Sequence, residues 1–261
     1  MKKRIIGVIL STTLILNLSG CYISFGEDYK EADMVNIDKS IDYNGENEIE
    51  IDVSVGKVDI YGYDGNEIIV TGKVVDSEKN IQIKKYEDEI SIKDSIGIGS
   101  DLNIFKNRNV GMDIEIKIPK EFKGDIDLNY GAGDMIVHDL LCKEIDIEGG
   151  AGRFNIENIV FENLDYDGGV GETNIKLAEK CGDIDIDGGV GSVNIEMSEV
   201  GGNLSFDGGV GSAKIKIPET ASVYFNTESG IGNIKLNAKT SGENIYEFEI
   251  NVGVGEVEIY N

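Results

Sequence analysis

The chain reads as an all-β protein: a parallel β-solenoid, flattened, with two main sheets and coils of about 20 residues closed by Gly-x-Gly turns. Three observations predict this. The second glycine of a Gly-x-Gly recurs at Gly133, Gly152, Gly171, Gly191, Gly211, Gly232 and Gly255, at steps of 19 to 23 residues. Before each reference glycine an i, i+2 pair precedes the turn, as in Ile145/Ile147, Ile184/Ile186 and Leu204/Phe206. After it a second pair follows, as in Phe154/Ile156, Val193/Ile195 and Ala213/Ile215. Period-two alternation places each pair on one face of a strand, and a repeat of this length marks a stacked array whose units bury that face only together.

Each element follows from its residues. Seven or eight rungs at the usual strand spacing make a rod of about 35–40 Å. Antiparallel hairpins in a sandwich are the alternative, but they would not keep so strict a phase. The turns, such as Asp167-Gly168-Gly169-Val170-Gly171, need glycine for positive φ and close stacking. The residue inside each Gly-x-Gly is apolar (Ala132, Ala151, Val170, Val190, Val210, Ile231, Val254) and is expected to point inward and plug the corner. The regular repeats occupy 125–261 of a domain spanning 37–261. Toward the start of that domain a single coil is clear, Ile49/Ile51, Gly56, Val58/Ile60, followed by strand-like runs at 68–75, 81–83, 90–92 and 112–118. Residues 94–110 are polar and irregular, and the arrangement of 61–125 stays open. Exposed end coils invite strand addition. The final strand, Glu256–Tyr260, is therefore expected to support end-to-end self-association.

Residues 1–20 form a lipoprotein signal peptide: Lys2-Lys3-Arg4, an apolar Ile5–Leu18, then a lipobox-like Leu18-Ser19-Gly20-Cys21. Cys21 is the expected lipidation site, with 21–36 as a tether. An ordinary signal peptide beside a chance cysteine is the competing reading. Lipidation places the chain at the cell membrane, facing outside the cytoplasm. Loss of the signal leaves 21 basic against 49 acidic residues. Nucleic acid is not expected as a partner, because phosphate contacts need a basic surface. Cys142 and Cys181 sit at nearly the same point of coils two steps apart. That puts them about 9.6 Å from each other, too far for a disulfide, so buried free thiols beside Phe161 are expected.

Candidate chemistry lies on the outward positions. Asp127, Asp146, Asp165 and Asp185, then Glu148, Asp167, Asp187 and Asp207, should stack as like charges. At about 5 Å each neighbouring pair costs on the order of 1 kcal/mol in water. Asp146, Asp165, Asp167, Asp185, Asp187 and Asp207 are candidate ligands for a hard cation. The plainer reading is turn capping and solubility. The calcium nonapeptide of secreted β-rolls does not fit: it needs Asp two places after its last glycine, where Phe154, Thr173, Val193 and Ala213 stand. Nor is Gly-x-Gly a nucleotide loop, because a strand rather than a helix follows. Asn155, Asn174 and Asn194 read as an amide ladder along the stack, with contact to a sugar as the rival. The single histidine, His138, reads as a solvated residue at a strand end, and no triad or His/Cys metal set can be assembled. No catalytic residue and no cofactor is expected, so the chain reads as a non-enzyme.

The Ile118-Pro119 and Ile217-Pro218 strand ends, the Gly-x-Gly coils and the phrase from Ile51 to Ile60 (IDVSVGKVDI) together resemble the bacterial putative-adhesin, or toast-rack, domains over roughly residues 35–261. The resemblance implies a solenoid-like β domain, often membrane-anchored, with no binding residues to carry over. The resulting expectation is a lipid-anchored cell-surface protein, a putative adhesin or binding scaffold presenting a repetitive acidic and polar face. Its partner would be an envelope polymer, a glycan or a surface protein. An accessory or sensor lipoprotein in envelope-stress signalling is the alternative, and a polysaccharide-active β-helical enzyme a further one.

Overall fold

The computed structural model describes residues 34–75, 81–94 and 111–261. The expected signal peptide, Cys21, nearly all of the 21–36 tether and the irregular stretch after Asp94 lie outside the described residues. Only Met34 to Asn36 of that tether is described, and it opens the first strand.

The fold is all-β, and its described residues form strands without helices. In chain order the strands are β1 (Met34–Asp42), β2 (Glu48–Tyr63), β3 (Glu67–Val75), β4 (Gln82–Lys85), β5 (Glu89–Lys93), β6 (Met112–Pro119), β7 (Asp125–His138), β8 (Glu144–Glu148) and β9 (Ala151–Glu157). They continue with β10 (Asn163–Asp167), β11 (Val170–Leu177), β12 (Asp183–Asp187), β13 (Val190–Met197), β14 (Leu204–Lys216), β15 (Val223–Leu236) and β16 (Tyr246–Tyr260). From β7 onward every pairing is parallel, and each rung lies in register on the next: Ile156 pairs with Ile175, Ile175 with Ile195, Ile195 with Ile215, and Ile215 with Ile259. On the opposite half, Ile126, Ile145, Leu164, Ile184, Leu204 and Phe248 form an equivalent column. Both columns are buried. Burying each such side chain contributes roughly 1.5–3 kcal/mol, which is why the alternation sets the register.

Three features differ from the sequence expectation. The two halves are not separate sheets. β7 and β14 run unbroken through the glycine corner and pair on both sides of it, so the ladders close a circuit β7–β8–β10–β12–β14–β13–β11–β9 and back to β7. In the coils between them, paired glycines such as Gly149-Gly150 and Gly168-Gly169 interrupt the strand.

The second difference is the order of the last two coils. β16 lies between β14 and β15, so β15 is the terminal rung and the final strand of the chain is internal. Composition explains the exchange. β16 offers Phe248, Ile250, Val257 and Ile259, all fully buried, whereas β15 brings Thr227 to the equivalent position and leaves Leu236 exposed. The more apolar coil takes the covered place.

The third is the N-terminal end. β2 is the full coil expected, with Gly56 stacked on Gly133. Beyond it the stack is extended by antiparallel pairs, β6–β3–β1 on one half and β5–β4 on the other.

The glycine corner is enforced by contact. Gly152, Gly171, Gly191 and Gly211 have φ between 133° and 149°. A Cβ on any of them would fall onto the carbonyl oxygen of the reference glycine one rung before. Gly191→Ala is therefore expected to destabilise the fold far more than Ser192→Ala does. Ile195→Ala, which opens a cavity in the buried column, should cost about 2–5 kcal/mol. Urea unfolding checks both.

Candidate functional site

Three stripes run along the stack, and the ladder register builds each of them. The first is acidic. On the outer face of the half formed by β8, β10 and β12, Asp127, Asp146, Asp165 and Asp185 occupy consecutive rungs. Beside them Glu148, Asp167, Asp187 and Asp207 do the same. All six candidate cation ligands therefore share one face. Burial between neighbours, then the adjoining carboxylates, push Asp146, Asp165 and Asp187 above the usual aspartate range, and Asp127 rises for the same leading cause. Among the described residues no group of three or more His, Cys, Asp or Glu is arranged to hold a metal ion.

The second stripe lies on the opposite face and is neutralised. Asn174 Nδ2 donates to Asn155 Oδ1 at 3.0 Å, and Asn194 Nδ2 to Asn174 Oδ1 at 2.9 Å. The amides are thus satisfied along the stack, as the structural reading of the ladder required. Arg153 lies between Asp134 at 3.6 Å and Glu172 at 3.8 Å, and Lys216 pairs with Glu196 at 2.6 Å. Opposite charges alternate here where the first face repeats one sign.

The third stripe corrects the expectation for the turn residues. Val170, Val190, Val210, Val254 and Ile231 do not plug the corner: they are 45 to 81% exposed. They stack one per rung, with Val170 on Val190, Val190 on Val210, Val210 on Val254 and Val254 on Ile231. Five rungs span about 19 Å. Ala151 and Ala132 continue the line. The reason is strand parity. β11 and β13 begin at the valine, so inward positions two and four after the reference glycine leave the residue just before it facing out. That parity was readable in the sequence. Aromatic rings fill the corner instead. Tyr130, Phe154 and Tyr166 stack at centroid distances of 5.4 Å, and the Tyr166 hydroxyl lies 2.7 Å from Thr173 Oγ1. Paired glycines, Gly168-Gly169 and Gly188-Gly189 among them, line a pocket at this corner together with Val170, Val190 and Val210 and with the buried Tyr166 and Phe206.

The remaining expectations fall outside these stripes. His138 does end β7, but it is half-buried: Nε2 lies 3.1 Å from Asp59 Oδ1, Nδ1 lies 2.8 Å from Asp139 Oδ2, and the ring stacks on Tyr61 at 5.2 Å. Cys142 and Cys181 are buried free thiols, and burial pushes Cys142 up to about 12.

These features define an all-β protein of stacked parallel rungs with chemically distinct longitudinal stripes. The model of the Toastrack DUF4097 family matches residues 46–258, and the chain belongs to that family. No curated protein matches it. Among solved structures it is similar to a putative cell adhesion protein from Clostridium sporogenes ATCC 15579, with 16% identity, 87% of this chain and 99% of that one covered, and a TM-score of 0.44. A putative adhesin from Bacteroides fragilis NCTC 9343 shows 16% identity, 86% and 97% coverage, and a TM-score of 0.47. A putative lipid binding protein from Parabacteroides distasonis ATCC 8503 shows 13% identity, 85% and 96% coverage, and a TM-score of 0.38.

The acidic stripe has a signed pH dependence. The folded state holds protons on Asp127, Asp146, Asp165 and Asp187 more readily than the unfolded chain does. Stability from these groups therefore grows as pH falls from neutrality toward the ordinary aspartate pKa, and is lost as pH rises through the raised values. Glu46, Glu50 and Glu196 act oppositely. Burial would raise the first two, but hydrogen bonds from Lys85 and Lys93 outweigh it. Lys216 lowers the third. Their contribution disappears as pH falls through the lowered values. The melting temperature should thus pass through a maximum at mildly acid pH. At pH 7 and low salt, Asp165→Asn should add up to about 1 kcal/mol, an effect that shrinks as salt rises. Thermal unfolding across pH and ionic strength measures all three.

Proposed function

We propose that this protein is a non-enzymatic, lipid-anchored binding scaffold of the cell surface, an adhesin in the general sense. We read its parallel rungs as a flattened solenoid. The exposed apolar ridge carries this reading: five β-branched side chains at one per rung, between an acidic face and a neutralised one. A contiguous exposed apolar strip rimmed by polar residues marks an interaction surface. Its one-dimensional repeat suits an extended partner laid along the stack, with contacts recurring about every 4.8 Å. With a net charge of −25, the chain favours a neutral or cationic partner over a polyanion. A neutral glycan or a basic extended polypeptide of the envelope meets those terms. Cys21, acylated after removal of 1–20, supplies the membrane attachment, and the acidic face keeps the domain off an anionic lipid surface.

Two experiments test this. Val190→Asp with Val210→Asp places charge on the ridge without touching the core. It should weaken sedimentation with purified cell-wall glycan about tenfold or more, a loss of roughly 1.4 kcal/mol, while fold stability falls by no more than the like-charge cost of the new pair, about 1 kcal/mol. Binding that survives the double substitution removes the ridge from the reading. Separately, Cys21→Ala should move the protein out of the membrane fraction, and unchanged fractionation contradicts the lipid anchor.

A further inference from the structure

The terminal rung has a symmetry of its own. β15 pairs with β16 alone, and among the described residues no strand covers its outer edge. That edge is 14 residues long, and it passes through both halves of the coil: Phe225 and Thr227 face inward before the corner, Ile234 and Leu236 after it. Their neighbours on β16 are buried, while Phe225 and Ile234 are only partly covered and Leu236 is exposed. A long, unprotected, partly apolar edge is a template for another strand.

We infer that the edge of β15 pairs with β15 of a second copy, head to head and antiparallel, in a two-fold dimer centred between Gly230 and Ile231. A two-fold axis through the corner exchanges the two legs of the coil and reverses the stack direction. Each inward residue then meets an inward one: Phe225 opposite Leu236, Thr227 opposite Ile234 and Val223 opposite Ala238. Each outward residue meets an outward one, Asn226 opposite Lys235 and Glu228 opposite Asn233. One register satisfies both faces, as an isologous interface requires. It would place the two interior columns end to end as one continuous core.

Charge selects the same occupant. In a chain of net charge −25, β15 carries one acid and one base, Glu228 and Lys235, and this register sets neither against its like. The rest of the stack repeats acid on acid along its first face. Lys235 also holds Glu256 at 2.7 Å, and Asn226 reaches Glu247 at 3.4 Å, so the acidic face is already muted where the copies meet. The inference does not depend on the partner proposed for the ridge.

Sedimentation equilibrium of the full-length chain in mild detergent should show a dimer. Leu236→Lys, at an exposed position, should give a monomer that melts where the unaltered chain does when diluted to the monomer. Opposed strand residues lie about 4.5–5.5 Å apart, within disulfide reach. Mild oxidation of the Asn226→Cys, Lys235→Cys double variant should therefore yield a covalent dimer, and neither single variant should. Amide exchange across β15 should slow as concentration rises. A monomer at every concentration overturns the inference. So does a dimer that the double variant does not link, or β15 amides protected equally at all dilutions. Equal protection would assign the edge to a segment of the same chain or to a foreign strand.

Discussion

Everything in this molecule depends on one constraint: successive backbones lie directly on one another, in parallel and in phase, at the corner of each coil. At Gly152, Gly171, Gly191 and Gly211 the carbonyl of one rung occupies the space where a side chain of the next would begin. That contact sets the phase, and the phase determines the rest. Once the glycines are aligned, the inward pairs form two buried columns. The outward residues are then committed to stack on whatever holds the same place one rung away, whether or not that is favourable. The acidic face is the unfavourable consequence, accepted because the core columns it accompanies bury far more than the repulsion costs.

The two outer faces answer the same geometry differently. On one, Asp127, Asp146, Asp165 and Asp185 repeat a single sign, and burial together with the adjoining carboxylates raises the proton affinity of Asp146 and Asp165. On the other, Arg153 bridges Asp134 and Glu172, Lys216 holds Glu196, and three asparagines pass a hydrogen bond from rung to rung. The second face therefore stabilises the stack laterally, whereas the first creates a field. The valine ridge runs along the border between them, an apolar line with a strong field on one side only.

How much was legible in the sequence divides along physical lines. Period and alternation are local properties, so the coil phase, the inward pairs and the in-register stacking of Ile175, Ile195 and Ile215 could all be read directly. The acidic columns and the asparagine ladder followed from the same phase. The orientation of Val170, Val190 and Val210 was misread, although strand parity contained it. Glycine-rich turns made the corner look like a cavity to be filled, and of the aromatic rings stacked there Phe154 and Tyr166 come from positions assigned to the strands. The exchange of β15 and β16 was not legible from phase, because both coils match the repeat. It rests on a comparison of their burial, in which Thr227 and Leu236 lose to Ile250 and Ile259. The antiparallel strands β1, β3 and β4 carry no Gly-x-Gly, so nothing local announced their direction.

That exchange has a consequence for assembly in time. β15 is synthesised before β16, yet among the described residues its partner strand is β16 alone. A chain folding from its N-terminal end can complete rungs one after another through β14 and must then wait. β16 works as a keystone: it arrives after β15 but seats inside it, and with it the rung already made gains a neighbour. Completion of the stack is thereby tied to completion of the segment that follows Leu236, and a chain stopped short of it would be left with a dangling coil rather than merely a shorter rod.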